Sequence, residues 1–259
     1  MRRACVTVDV LAVHVTVLAL LAAAALAAPA SGLKPSRPSA VKSAPSAGHV
    51  PQGLRDGLVL YYPFEDKAGD TTADASGNGH TGTLKGAVRV ADGARGAAMR
   101  FDGKSELTAP HSDQLAFAAS NSFTVALWAF REKATGGWDG VFAVSRLKAP
   151  FYGIYVEPGG KWVVYTGPRT GPKAEARWTH VALVQDGKAG KRRLYIDGAS
   201  VAECAAQDGN GAGILAVGSG GCGYAWFNGR LDEVCIYNRA LKDDELRALM
   251  AATGPAGSK

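Results

Sequence analysis

Three runs inside Trp178–Leu241 decide the fold: W-T-H-V-A-L-V (178–184), R-L-Y-I-D-G (193–198) and F-N-G-R-L-D-E-V-C-I-Y-N-R-A-L (227–241). Val181 and Leu183 are apolar at every second position, and R-L-Y-I repeats that spacing, which predicts half-buried β-strands. Asp197-Gly198 follows directly and has the composition of a two-residue hairpin turn, in which both residues need a positive φ. These runs therefore predict antiparallel β-structure.

Short apolar runs separated by Gly-rich turns continue back to Leu58, which is typical of a sandwich or jelly roll. Pro63 confines the run Leu58–Phe64 to the edge or the end of a sheet, because proline cannot donate to a strand ladder. The turn Glu157–Lys161 predicts a hairpin between its two flanking strands.

A single helix is predicted at the chain end, where Asp243–Glu245 place negative charge in a first turn. Leu246, Leu249 and Met250 then form one apolar stripe. The predicted fold class is all-β, a two-sheet antiparallel jelly-roll sandwich with a short C-terminal helix.

Four further blocks precede the opening runs: L-Y-Y-P-F-E (60–65), D-A-S-G-N-G-H-T-G (74–82), A-M-R-F-D-G (98–103) and S-F-T-V-A-L-W (122–128). In this order, the blocks make the chain resemble the laminin-G-like jelly-roll modules of the concanavalin-A-like lectin/glucanase superfamily. The resemblance covers essentially the whole predicted domain, residues 54–253, and implies one sandwich domain of a kind found in many secreted proteins.

Both ends lie outside this predicted domain. Arg2 and Arg3, an apolar run to Ala28 and the A-x-A site Ala25–Ala27 predict a signal peptide at 1–27, with an uncleaved anchor as the alternative. Residues 28–53 are rich in Pro, Ser and Ala and predict a flexible linker, and 254–259 form a tail. We therefore expect a secreted, periplasmic or cell-envelope protein without a transmembrane span after cleavage.

The net charge of +6 comes partly from the two N-terminal segments, and the chain has no nucleic-acid motif, so no nucleic-acid partner is expected. The glucanase motif E-x-D-x-x-E is absent as well. Asp232 and Glu233 are adjacent on a predicted strand, so their side chains are expected on opposite faces and not in one cleft. We expect His180 to be structural. The prediction is a monomeric, non-catalytic binding module, and the alternative is a glycoside hydrolase or lyase with an unrecognised carboxylate pair.

Three cysteines, Cys204, Cys222 and Cys235, remain after signal cleavage. An exported protein meets oxidising conditions, so one disulfide and one leftover thiol are expected. The sequence allows three pairings. The Gly-rich run G-S-G-G-C-G favours Cys204 with Cys222, because its backbone can bend toward a partner. The alternative is that all three stay reduced.

Calcium is the predicted cofactor. Ca²⁺ takes about six to eight oxygen ligands, and the loop Asp70–His80 combines acidic and amide side chains with closely spaced glycines. The family resemblance implies a structural calcium between this loop and acidic residues near the chain ends, at Glu65 or Asp66 and at Asp232. The predicted ligands are Glu65, Asp74, Asn78 and Asp232. Alternatively, Asp74 and Asn78 form only Asx turns.

A second predicted site binds a glycan. Sugar rings stack on flat aromatic faces, and aromatic residues concentrate in the hairpins between Trp138 and Tyr165. The predicted platform residues are Trp138, Tyr155, Trp162 and Tyr165, with Tyr152 and Trp226 as further candidates. The alternative is that these side chains are core or cross-strand pairs. The expected partner is a glycan or an extracellular or cell-surface protein.

Overall fold

A computed structural model describes residues 49–144, 151–167, 169–209, 213–221 and 223–255. The contacts divide the chain into two units, Met1–Val41 and Lys42–Lys259, and every described residue belongs to the second. The predicted signal peptide and most of the predicted linker lie outside the described residues. No helix among the described residues is long and apolar enough to cross a membrane.

The described residues contain fifteen strands and one α-helix. In chain order they are β1 Leu58–Tyr62, β2 Thr71–Thr72, β3 Gly82–Lys85, β4 Val88–Val90, β5 Ala98–Asp102, β6 Glu106–Ala109, β7 Phe123–Arg131, β8 Asp139–Val144, β9 Tyr152–Val156, β10 Trp162–Tyr165, β11 Trp178–Asp186, β12 Lys191–Ile196, β13 Ala199–Ala205, β14 Leu215–Val217, β15 Asn228–Tyr237 and α1 Asp243–Thr253.

The strands form two antiparallel sheets. The first has the order β13-β12-β11-β7-β15-β5-β4, with β1 also paired to β15, and the second has the order β10-β9-β8-β14-β6-β3-β2. Apolar side chains from both sheets, such as Leu127, Val181 and Ile154, fill one buried core between them. The predicted fold class, an all-β jelly-roll sandwich with a C-terminal helix, is confirmed.

Local predictions around the hairpins are also confirmed. Ile196 pairs with Ala199 across a two-residue turn, and Asp197 and Gly198 have φ values of 49° and 76°. The β9–β10 hairpin pairs Val156 with Trp162, as the E-P-G-G-K turn predicted. Because turn chemistry and period-two burial are local properties, the sequence reveals them directly.

Helix α1 covers part of the outer face of the first sheet. Leu246 and Leu249 are buried there beside Tyr61 and Tyr237. The Glu245 carboxylate accepts a hydrogen bond from the Lys242 amide at 2.8 Å and thereby satisfies one of the free N–H groups at the helix start.

The folded domain begins before residue 54, where the sequence analysis placed its start. Val50, placed by us in the flexible linker, is 1% exposed and packs in the same outer cluster as α1. His49 contacts Glu233 through its Nδ1 atom at 2.6 Å. The end of the predicted linker is therefore part of the folded domain, because these side chains cover polar groups of the sheet.

His180 lies on this outer face as a buried, neutral side chain. Its ring packs edge-on against Trp128, with 5.3 Å between the ring centroids, and Trp128 donates from Nε1 to Thr253 at the end of α1. Within the described residues, the Nδ1 atom of His180 has no hydrogen-bond partner. Burial lowers the pKa of His180 to about 4.

This lowered pKa predicts a loss of stability in mild acid. The unfolded state binds a proton below the ordinary pKa of 6.5, whereas the folded state does so only near pH 4, so stability should fall as pH drops between these values. Relative to His180→Leu, the wild type should lose about 3 kcal/mol by pH 4, measured by urea unfolding across this range. Parallel pH profiles for the two proteins would contradict the assignment.

Candidate functional site

A β-bulge in β15 brings two carboxylates to one face. Asp232 lies opposite Trp128 and Cys235 opposite Ala126, so β15 advances by one residue more than β7 between these pairs. Glu233 occupies the left-handed region with φ of 54°. Since a bulge interrupts the alternation of side chains, Asp232 and Glu233 both lie on the outer face. Our expectation that they point to opposite faces is wrong.

Hydrogen bonds hold both carboxylates below the surface. Glu233 accepts from the Tyr61 hydroxyl and contacts His49, each at 2.6 Å. Asp232 accepts from the backbone amides of Arg95, at 3.0 Å, and of Glu233, at 2.8 Å. The Asp232 residue is 0% exposed and Glu233 is 2% exposed, so the pair lies beneath the chain segments that donate to it.

Burial also changes the ionisation of the pair. It raises the pKa of Asp232 to about 9 against the hydrogen bond from the Arg95 amide, and it raises the pKa of Glu233 to about 7. The charge of Glu65 acts in the same direction on both groups. The raised pKa of Asp232 favours its protonated form.

Glu65 and Asp232, two of the four predicted calcium ligands, meet at one loop. The loop Gly93–Ala97 donates from the Ala97 amide to Glu65 and from the Arg95 amide to Asp232, both at 3.0 Å. A Cβ at Gly93 would overlap the Asp232 carboxylate, and one at Gly96 would overlap that of Glu65. These two glycines let the backbone approach both carboxylates closely.

The other two predicted calcium ligands form hydrogen bonds with backbone groups. Asp74 is buried and accepts three backbone hydrogen bonds, from Tyr61, Ser76 and His80, each at 3.0 Å. Asn78 donates from Nδ2 to the carbonyl of Val59 at 2.9 Å. Both side chains pin the loop to β1. The contact of Asp74 with the Ser76 amide is the Asx turn of the alternative interpretation, whereas Asn78 binds β1 through its side-chain amide instead.

Only two of the four predicted calcium ligands are therefore placed where they could share an ion. Carboxylates suit Ca²⁺, but Asp74 and Asn78 are engaged with backbone, and only Glu65 and Asp232 share one position. Among the described residues, no group of three or more His, Cys, Asp or Glu side chains is arranged to hold a metal ion.

The structure describes two of the three cysteines on which the disulfide prediction rests. Cys204 is a free thiol that donates to the Ala205 carbonyl at 3.2 Å, and Cys235 is a buried free thiol. Cys222 lies outside the described residues. The pairing of Cys204 with Cys222 therefore finds no support in the described structure and stays a prediction.

The predicted aromatic platform separates into two groups. Trp162, at 1% exposed, and Tyr152, at 0%, face the core between the sheets. The prediction for these two residues is corrected, because period two along β9 and β10 turns them inward while their neighbours turn outward. Tyr155 and Tyr165 lie on the outer face of the second sheet with Trp138.

These outward residues form a continuous aromatic strip, defined as Trp138, Tyr155, Tyr165 and Phe151. Trp138 packs edge-on against Tyr155 with 6.3 Å between ring centroids, and Tyr155 lies 5.8 Å from Tyr165. Phe151 stacks on Tyr165 at 4.0 Å. Tyr155 is the buried floor of the strip, while Trp138 and Tyr165 are half-buried.

A cavity of about 420 Å³ adjoins the Trp138 end of the strip. It is lined by Gly103, Thr135, Gly137, Trp138, Tyr224, Ala225 and Trp226. Tyr224 is 39% exposed, and Trp226 is half-buried. We call this the aromatic cavity. Sequence reasoning missed Tyr224 and Phe151, because they lie on turns with no periodic pattern.

The walls of the aromatic cavity are held by polar contacts beneath them. Asp139 is fully buried, pairs with Arg131 at 2.6 Å, and accepts from the hydroxyl of Thr135. On the other wall, the Gly220 amide donates to the Ala225 carbonyl at 3.0 Å, and Ser219 bridges to Trp226. The cavity therefore joins two loops that are each anchored to the second sheet.

The sequence matches the family model Laminin_G_3, described as the concanavalin A-like lectin/glucanases superfamily, over residues 101–247. This match covers more than half of the chain. The chain belongs to this family. No curated protein matches the sequence significantly.

Solved structures place the family fold in several kinds of protein. Domain 4 of AbnA, a GH43 extracellular arabinanase from Geobacillus stearothermophilus, in complex with arabinotriose, is 24% identical with a TM-score of 0.56, covering 74% of this chain and 97% of that one. Trypanosoma rangeli sialidase is 18% identical with a TM-score of 0.59, covering 81% of this chain and 35% of that one.

The binding domain of botulinum neurotoxin serotype G is 13% identical with a TM-score of 0.57, covering 74% of this chain and 50% of that one. The chain thus spans about a third of the sialidase and half of the neurotoxin domain. At these identities the likeness concerns the fold, which occurs in enzymes as well as in binding domains.

Proposed function

We propose that this protein is a secreted, non-catalytic module that binds a glycan at the aromatic cavity and its strip. The observation that supports the proposal is the junction of Trp138, Tyr224 and Trp226 around a space of about 420 Å³. Concave sites lined by aromatic side chains with a few polar groups are typical ligand sites. An extracellular protein is the other partner class that our sequence analysis predicts.

The lining of the cavity suits both the apolar and the polar parts of a sugar ring. Aromatic faces offer an apolar surface to the ring carbons, while the backbone of Gly137 and the Tyr224 side chain bring polar groups into the same lining. The anchored walls reduce the entropy that binding must overcome. Domain 4 of AbnA, a domain of similar fold, was solved in complex with arabinotriose, which makes neutral oligosaccharides sensible first probes.

The glycan proposal predicts a loss of binding in Tyr224→Ala and Trp226→Ala. Truncating an anchor aromatic should weaken binding roughly 30-fold, because such residues carry most of the energy of an interface. A glycan array would identify a ligand, and titration calorimetry would compare the variants. Tyr224 is 39% exposed, so its truncation should leave the thermal unfolding midpoint unchanged.

Val201→Ala is the matched control, since Val201 is 36% exposed on β13 of the first sheet, far from the strip in topology. It should bind as the wild type does. Equal affinity for wild type and both aromatic variants, or a complete lack of saturable glycan binding, would dispose of the proposal.

A hydrolase or lyase remains the second candidate function, because the bulge places Asp232 and Glu233 side by side with raised pKa values. Both residues are buried beneath donating segments, so a polysaccharide has no access to them. We therefore expect the purified protein to release no reducing ends from polysaccharides. Turnover that is abolished in Glu233→Gln would favour the enzyme instead.

We also propose a structural calcium ion, with Glu65 and Asp232 as its carboxylate ligands. Glu65 is exposed, which gives a cation access from solvent, and binding would replace the proton on Asp232. A bound ion would also offset the negative charge of Glu65.

The calcium proposal predicts a higher unfolding temperature in calcium than in chelator, for protein first stripped of metal. At a hundredfold excess over Kd the gain should be about 3 kcal/mol. Asp232→Asn should abolish the gain, whereas Asp70→Asn, at an exposed position of the neighbouring loop, should keep it. Identical unfolding in both buffers would rule out this site.

A further inference from the structure

We infer that the glycan taken by the aromatic cavity is acidic, with a carboxylate or sulfate group bound by Arg169; this rests on the proposed function. Arg169 is exposed, and its guanidinium carbon lies over the Trp138 ring, 5.4 Å from the centroid. Trp138 lines both the strip and the cavity. Arg169 therefore places a positive charge against Trp138, the residue that joins the strip to the cavity.

Among the described residues, Arg169 forms no ion pair, and its one described interaction is with Trp138. A guanidinium is weakly hydrated, stacks readily on an aromatic face and presents five N–H donors in a planar fork. That fork matches the two oxygens of a carboxylate or sulfate, so an anion beside the Trp138 ring would complete its hydrogen bonds.

Two carboxylates of the segment that carries Thr135 and Trp138 are paired with other basic groups. Asp139, at the base of the wall, pairs with Arg131 at 2.6 Å. Glu132, in the same loop, pairs with Arg100 at 3.0 Å and with Arg230 at 3.2 Å. Neither of these two acidic groups pairs with Arg169.

Glu106 is the buried carboxylate on the outward face of β6, and it is occupied as well. It accepts from Ser219 at 2.7 Å and pairs with Lys85 at 3.3 Å. Lys133, two residues before Thr135 in the sequence, is exposed and forms no ion pair among the described residues. An uncompensated positive field at a concave site raises the local concentration of anionic ligands.

The test compares acidic oligosaccharides with neutral counterparts of the same backbone. One arm uses oligogalacturonate against its methyl ester, and a second arm uses a sulfated glycosaminoglycan hexasaccharide against its desulfated form. The two arms distinguish a carboxylate from a sulfate as the bound anion. Affinities are measured by calorimetry for the full chain at low and high ionic strength.

In at least one arm, the acidic form should bind about tenfold more tightly, and added salt should remove this preference. Arg169→Gln should abolish the preference but leave the neutral form within about twofold, while Arg169→Lys should keep part of it, because lysine retains the charge without the planar fork. Arg177→Gln, which removes an exposed arginine already paired with Asp197, should change nothing.

The outcomes separate this inference from the proposed function. Neutral and acidic forms that bind equally, with no effect of Arg169→Gln, overturn the acidic ligand while glycan binding stands. A preference that survives Arg169→Gln overturns the role of Arg169. No binding of any saccharide overturns both.

Discussion

The bulged strand β15 is the constraint on which the rest of the structure depends. Its ladder joins β7 on one side with β5 and β1 on the other, and the extra residue at Asp232–Glu233 turns two carboxylates onto the outer face. Buried carboxylates must be hydrogen-bonded or protonated, because an unpaired buried charge is costly. Tyr61, His49 and the loop Gly93–Ala97 supply these contacts from distant parts of the chain. The bulge thus determines where these three segments pack against the outer face of the sheet.

The two sheets differ in how their outer faces are covered. The first sheet buries part of its outer face under α1, the Val50 segment and the carboxylate pair, and a cavity of about 690 Å³ lies beside Arg193 and Tyr195 on the same sheet. The second sheet keeps its outer face aromatic, from Tyr165 to Trp138, and the loops beside it form the aromatic cavity. Tyr155 and Phe151 are buried on this face, whereas Tyr224 and Trp226 at the cavity are partly exposed. A change at the cavity is therefore expected to affect binding more than folding.

Sequence reasoning predicted the local features and failed where distant segments meet. The period-two runs, the Asp197-Gly198 turn and the helix at Asp243 were all correct. The orientation of Asp232 and Glu233 was wrong, since a bulge depends on the register of β15 against β7. For the calcium site, the sequence offered four ligands, but the structure unites only Glu65 and Asp232 through a loop about 30 residues beyond Glu65. For the predicted aromatic platform, the alternation of side chains along β9 and β10 could not tell which of the two faces would pack against the core.

By itself, the sequence determined that the chain makes short antiparallel strands, where the tight turns lie and which residues share a strand face, because these follow from spacing and turn chemistry within a few residues. Only the tertiary structure decided which face is inside. It placed Trp162 in the core and Trp138 beside Tyr224, set Arg169 over an indole ring, and buried Glu233 under His49. The physical reason is that burial and charge compensation arise between segments far apart in the chain. No local sequence pattern predicts which of these segments come into contact.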